Sequence, residues 1–167
     1  MLGERIERRN QNGDLHHLFL PSIDFPLCKE YWLNGIKHRR NKPAVIEKYP
    51  NNNLKLVEYW FKGYLHRKGG PAVIVYRENG ILDYKCHYIN GKLHNDSEPA
   101  ILYGDGRQMW FWEGKRHRDD GYPAVIYGPN KFEYWIFGKK VEKDSKKYKR
   151  GIRLSRKRKL KRIKERD

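Results

Sequence analysis

The chain has 167 residues, 38% of them hydrophobic and 14% aromatic, enough for one folded domain with an extension. Its net charge of +17 is uneven: residues 139–167 hold sixteen Lys/Arg against four Asp/Glu, a net of +12, which leaves +5 for residues 1–138. The two cysteines, Cys28 and Cys86, form no C-x-x-C pair and read as reduced intracellular thiols, which excludes a zinc knuckle or a disulfide framework, and no apolar run is long enough to span a bilayer.

Residues 1–27 are expected to form an irregular or capping segment. The start, MLGERIERRNQ, is charged from its fourth residue and does not read as a signal peptide, so a soluble, intracellular protein is expected. Gly13, His16 and Pro21 keep the offsets of three and eight found in later copies of a repeat, but Asn10 stands where that repeat has Trp.

From residue 28 to 138 the repeat is explicit. Gly35, Gly63, Gly91, Gly114 and Gly138 follow one another at spacings of 28, 28, 23 and 24 residues. Three residues before each stands an aromatic: Trp32, Trp60, Tyr88, Phe111 and Trp135. Three after come His38, His66, His94 and His117, with Val141 in the fifth copy. A Pro-Ala pair then opens an apolar run in the first four copies, at Pro43-Ala44, Pro71-Ala72, Pro99-Ala100 and Pro123-Ala124.

Each part has a conformational reason. Segments such as LVEYWF at 56–61 are rich in the β-branched and aromatic residues of strands, and Asn34-Gly35 and Asn90-Gly91 suit two-residue hairpin turns because both residues tolerate positive φ. Runs such as PAVIVY at 71–76 read as the returning strand, with Pro at its start where it removes no interior ladder bond. Arg77-Glu78-Asn79-Gly80, Gly104-Asp105-Gly106 and Gly128-Pro129-Asn130 turn the chain back. The expected fold is all-β, a repetitive antiparallel meander with one hairpin per copy.

The pattern W-x-x-G-x-x-H resembles the MORN repeat, and its continuation as His66-Arg67-Lys68-Gly69-Gly70-Pro71-Ala72 resembles MORN-like repeats in proteins of large DNA viruses. The resemblance covers residues 31–138 and implies a β-hairpin scaffold and a viral origin, with the virion or the host nucleus or cytoplasm as the place of action. An ordinary MORN unit continues after His with a short Gly-x-Gly, whereas this chain inserts several residues before its next strand.

The recurring residues are therefore expected to build the repeat: Trp32, Gly35, His38, Trp60, Gly63, His66, Gly91, His94, Gly114, His117, Trp135 and Gly138. A ladder of four histidines could hold metal, but no Cys, Asp or Glu recurs with them, and no metal or other cofactor is expected. Catalysis needs one asymmetric constellation, whereas a feature present in every copy belongs to the scaffold, so neither an enzyme nor a small-molecule substrate is expected. Trp32, Trp60 and Trp135 are expected to stack as core along one face of the sheet, which is also open to a protein partner.

The segment 139–167 has no repeat pattern. Its apolar residues Ile152, Leu154, Leu160 and Ile163 give a partial helical stripe, so it is expected to be disordered or a solvated helix until it meets a polyanion. Lys146, Lys147, Lys149, Arg150, Arg153, Arg156, Lys157, Arg158, Lys159, Lys161, Arg162 and Lys164 are the expected nucleic-acid contacts. The expected function is a non-catalytic binding scaffold with a basic nucleic-acid arm. The alternative is a structural or virion assembly protein whose tail binds a protein partner or anionic membrane. Against membrane stands the lack of a lipidation motif and of aromatic anchors other than Tyr148.

Overall fold

The computed structural model describes residues 4–164, with the side chains of residues 159 and 162–164 outside the described set. The chain divides into two compact units: one runs to Lys92 and adds Tyr103–Asp105, the other comprises Leu93–Leu102 and the chain from Gly106 onward. Both are antiparallel hairpin meanders, so the fold is all-β with one C-terminal helix.

In the first unit the strands are β1 (Ile6–Glu7), β2 (Ile23–Phe25), β3 (Cys28–Glu30), β4 (Trp32–Leu33), β5 (Ile36–Lys37), β6 (Val45–Lys48), β7 (Leu54–Glu58), β8 (Trp60–Phe61), β9 (Tyr64–Leu65), β10 (Val73–Tyr76), β11 (Leu82–Cys86) and β12 (Tyr88–Ile89). Seven of these pair side by side in the order β1-β2-β3-β6-β7-β10-β11. Ile46 stands opposite Val57, and Val57 opposite Ile74, so β-branched residues of successive copies share one register position. Between the long strands, β4 pairs with β5 and β8 with β9 as small hairpins.

The remaining strands are β13 (Lys92–Leu93), β14 (Ile101–Tyr103), β15 (Gln108–Met109), β16 (Phe111–Trp112), β17 (Lys115–Arg116), β18 (Val125–Gly128), β19 (Lys131–Ile136) and β20 (Lys139–Val141). In the second unit β14, β15, β18, β19 and β20 pair in that order, and β16 pairs with β17. The sheet thus continues past residue 138: Val141, which takes the histidine's place in the fifth copy, lies opposite Tyr134.

The buried centre of the sheets is not the tryptophan row. Ala44, Ala72, Ala100 and Ala124 are 0% exposed, and Val45 and Val125 are at most 1% exposed, whereas Trp32, Trp60 and Trp135 are only half-buried. The Pro-Ala position is where adjacent backbones meet: Tyr59 N donates to Ala72 O at 2.7 Å and Ala72 N to Cys86 O at 2.8 Å. The alanine side chains, which stand out of the plane of those bonds, are wholly covered, so a larger residue there would have to displace its neighbours.

After β20 the chain forms α1 (Lys146–Lys164), capped by Ser145, whose Oγ accepts the Tyr148 amide at 3.2 Å. Tyr148, Gly151, Ile152 and Ser155 are buried at helical spacing, and Tyr148 and Ile152 pack with Ile136, Tyr134, Phe137 and Val141. Leu154 and Leu160 of the expected stripe are exposed instead, and the side chain of Ile163 lies outside the described residues.

Candidate nucleic-acid interface

The repeat histidines are staples between successive hairpins. Nδ1 of His38 accepts the amide of Lys62 at 3.0 Å, that of His66 the amide of Asn90 at 3.1 Å, and that of His94 the amide of Glu113 at 3.2 Å. His16 does the same for Asn34 at 3.2 Å, so the N-terminal segment carries a true copy of this contact. In each case the acceptor meets the residue just before a repeat glycine. Those residues have left-handed backbones: φ is 49° at Asn34, 50° at Lys62, 49° at Asn90 and 48° at Glu113, each followed by a glycine at positive φ. The glycine amides extend the ladder, with Gly35 N on Leu15 O, Gly63 N on Lys37 O, Gly91 N on Leu65 O, Gly114 N on Leu93 O and Gly138 N on Arg116 O, all within 3.0 Å.

The arginines after histidine are also part of the scaffold. Arg39, Arg67 and Arg118 stack on Tyr31, Tyr59 and Trp110 at 3.5, 3.9 and 3.7 Å and donate to the carbonyls of Pro43, Pro71 and Pro123. The N-terminal copy has His17 at this position, and Arg8 donates to Pro21 O at 2.6 Å instead. Trp32, Trp60 and Trp135 each donate Nε1 to a glutamate two residues upstream, Glu30, Glu58 and Glu133, at 2.7–2.8 Å. Lys37 lies 5.3 and 5.5 Å from the rings of Trp32 and Trp60, and Arg116 4.9 Å from Trp135.

His117 departs from the other copies. Its ring stacks on Phe137 at 4.2 Å and 14°, and its Nε2 lies 2.7 Å from Ser155 Oγ in α1. Ser155 Oγ is in turn 3.4 Å from Asp119 Oδ2. Burial lowers the His117 imidazole to about 4, so the ring is neutral at physiological pH. The fourth histidine has thus been turned from stapling a hairpin to holding a helix.

A His, a Ser and an Asp in contact invite comparison with a catalytic triad. Here, however, the carboxylate meets the serine rather than the histidine, and Ser155 is 1% exposed, so its hydroxyl is closed to substrate. Burial raises the thiols as well, Cys86 to about 11, which makes it a poor nucleophile. Among the described residues no group of three or more His, Cys, Asp or Glu is placed to hold a metal ion.

Helix α1 gathers the sequence-predicted contacts. Its 19 residues hold twelve Lys/Arg and no Asp/Glu. Lys146, Lys147, Lys149, Arg150, Arg153, Arg156, Lys157, Arg158 and Lys161 are exposed, while the side chains of Lys159, Arg162 and Lys164 lie outside the described residues. Arg158 rests 4.7 Å from the Phe137 ring, at the border of the docked face. Sequence reasoning missed Tyr148, Gly151 and Ser155, although their spacing of three and four around Ile152 marks one face of a helix. Against family models, curated proteins and solved structures, the chain gives no match. No helix among the described residues is long and apolar enough to cross a membrane.

Proposed function

We infer that the protein is a non-catalytic repeat scaffold whose basic C-terminal helix contacts nucleic acid. The observation that carries this reading is α1 itself: one face, built by Tyr148, Gly151, Ile152 and Ser155, is spent on docking, and the rest presents lysine and arginine with no acidic residue to offset them. The arginines of the repeat loops support it by default, because Arg39, Arg67 and Arg118 are engaged with aromatic rings and proline carbonyls. The Trp-Gly-His-Pro-Ala grammar supports a MORN-like identity and a viral origin, with action in the virion or in the host nucleus or cytoplasm.

The test is affinity for duplex DNA and single-stranded RNA across a salt series. Sequence-independent binding with a log-log slope near about −5 on duplex, the value for roughly six phosphate contacts, is the expected outcome. Binding that ignores salt would refute the reading.

The alternative is an assembly protein that holds a protein partner or an anionic membrane. Its own support is an apolar loop in the first unit: Leu18, Phe19 and Leu20 are 69%, 82% and 50% exposed, and His17 Nδ1 accepts the amides of Phe19 and Leu20 to hold them there. Binding to anionic vesicles, with none to either nucleic acid, would favour it.

A further inference from the structure

We propose that Ser155 is a phosphorylation site whose modification releases helix α1 from the second unit. Ser155 lies mid-helix on the docked face, 1% exposed, with its Oγ 2.7 Å from His117 Nε2 and 3.4 Å from Asp119 Oδ2. Both partners already stand at hydrogen-bond distance, so a larger group on this oxygen would displace the His117 ring or the Asp119 carboxylate. A phosphoryl group there would bring up to two negative charges beside the Asp119 carboxylate, in an interface where His117 is held neutral. The docked state opposes it through both contacts.

The local sequence suits the modifying chemistry. Arg153 at −2, Arg156 at +1 and Arg158 at +3 surround Ser155 with the cations that an acidic, arginine-selective kinase cleft recognises. The chain has no threonine, and of its other serines Ser22 has no Lys or Arg within four residues, Ser97 is flanked by Asp96 and Glu98, and Ser145 follows Asp144. In the transfer, the Ser155 oxygen attacks the γ-phosphorus of a nucleoside triphosphate, the bond to the bridging oxygen breaks, the nucleoside diphosphate leaves, and the hydroxyl proton passes to a carboxylate of the kinase.

Access comes from undocking of the helix. Two large side chains, Tyr148 and Ile152, anchor a helix on which twelve like charges repel one another at i, i+3 and i+4. The undocked helix is the substrate, and the phosphate then holds it undocked. This step stands apart from nucleic-acid binding, although it also removes up to two charges from a segment of +12.

The experiment incubates the full chain with Mg-ATP and a basophilic serine kinase of the protein kinase C class, maps the phosphate by mass spectrometry, and follows amide hydrogen exchange over residues 148–155. The expected result is phosphate on Ser155, absent in Ser155→Ala, with exchange in the helix accelerated by at least about tenfold. Ile152→Ala, which loosens docking without touching the hydroxyl, should be phosphorylated faster than the parent. Phosphate on Ser145 alone, an unmodified Ser155, or a phosphorylated Ser155 with unchanged exchange would each overturn the proposal.

Discussion

A histidine that accepts a backbone amide through Nδ1 must carry its proton on Nε2, and His94 shows the consequence, since its Nε2 lies 3.3 Å from Asp96 Oδ1. His66→Ala should leave the Asn90 amide without its acceptor at a cost of about 1 kcal/mol, seen as faster hydrogen exchange at Asn90 with the fold intact. The pH dependence of His117 has a definite sign. Burial lowers its imidazole from 6.5 to about 4, so as pH falls the unfolded chain takes up this proton first. The stabilisation is present above pH 6.5 and is lost between there and about 4, amounting to about 3 kcal/mol across that window. Urea melts at neutral and acid pH should show a smaller loss for His117→Gln than for the parent. His38 is lowered in the same direction, first by burial and then by the Lys62 ammonium, and adds to the acid sensitivity of both proteins alike.

At the scale of elements, the clearest contradiction of local preference is Gly151. Alanine is the better helix former by about 1 kcal/mol, yet a Cβ at this position would collide with Ile136 Cγ2, so Gly151→Ala should lower the melting temperature. The double variant with Ile136→Ala should cost less than the sum of the two single changes, because removing the Ile136 branch relieves the collision. A Gly151→Ala protein that melts higher than the parent would show that the helix is not held against β19. The same contrast explains what was legible in the sequence. Asn34-Gly35, Asn90-Gly91 and the Pro-Ala strands announce themselves because their cause is local. The left-handed backbones at Lys62, Glu113 and Phe137 do not, since those residues gain nothing from φ near 50° on their own. At Lys62 and Glu113 the conformation is secured by a histidine of the preceding copy. The docked face of α1 was hidden for the same reason: Gly151 and Ser155 acquire meaning only opposite Ile136 and His117. The tryptophans misled in another way, because their size suggests core, whereas the glutamate and cation beside each hold it at a half-buried edge.

Over the whole molecule, charge is partitioned more sharply than structure. A truncation after Gly138 looks like the direct test of the basic segment, but it would also remove β20, Tyr148 and Ile152 and strip the cover from Ile136, so lost binding could not be told from a damaged second unit. Neutralising the exposed face is the cleaner experiment. Lys146, Arg150, Arg153 and Lys157 are spaced by four, three and four residues, and helical geometry puts them opposite the buried stripe. Changing all four to Gln takes the helix from +12 to +8 and touches none of the packed side chains. The melting temperature should hold or rise as like-charge repulsion is relieved. If each of the four meets a phosphate, the salt slope on duplex DNA should become shallower by about 3.6. An unchanged slope would show that the phosphates lie against other residues, and a lowered melting temperature would show that these side chains support the fold.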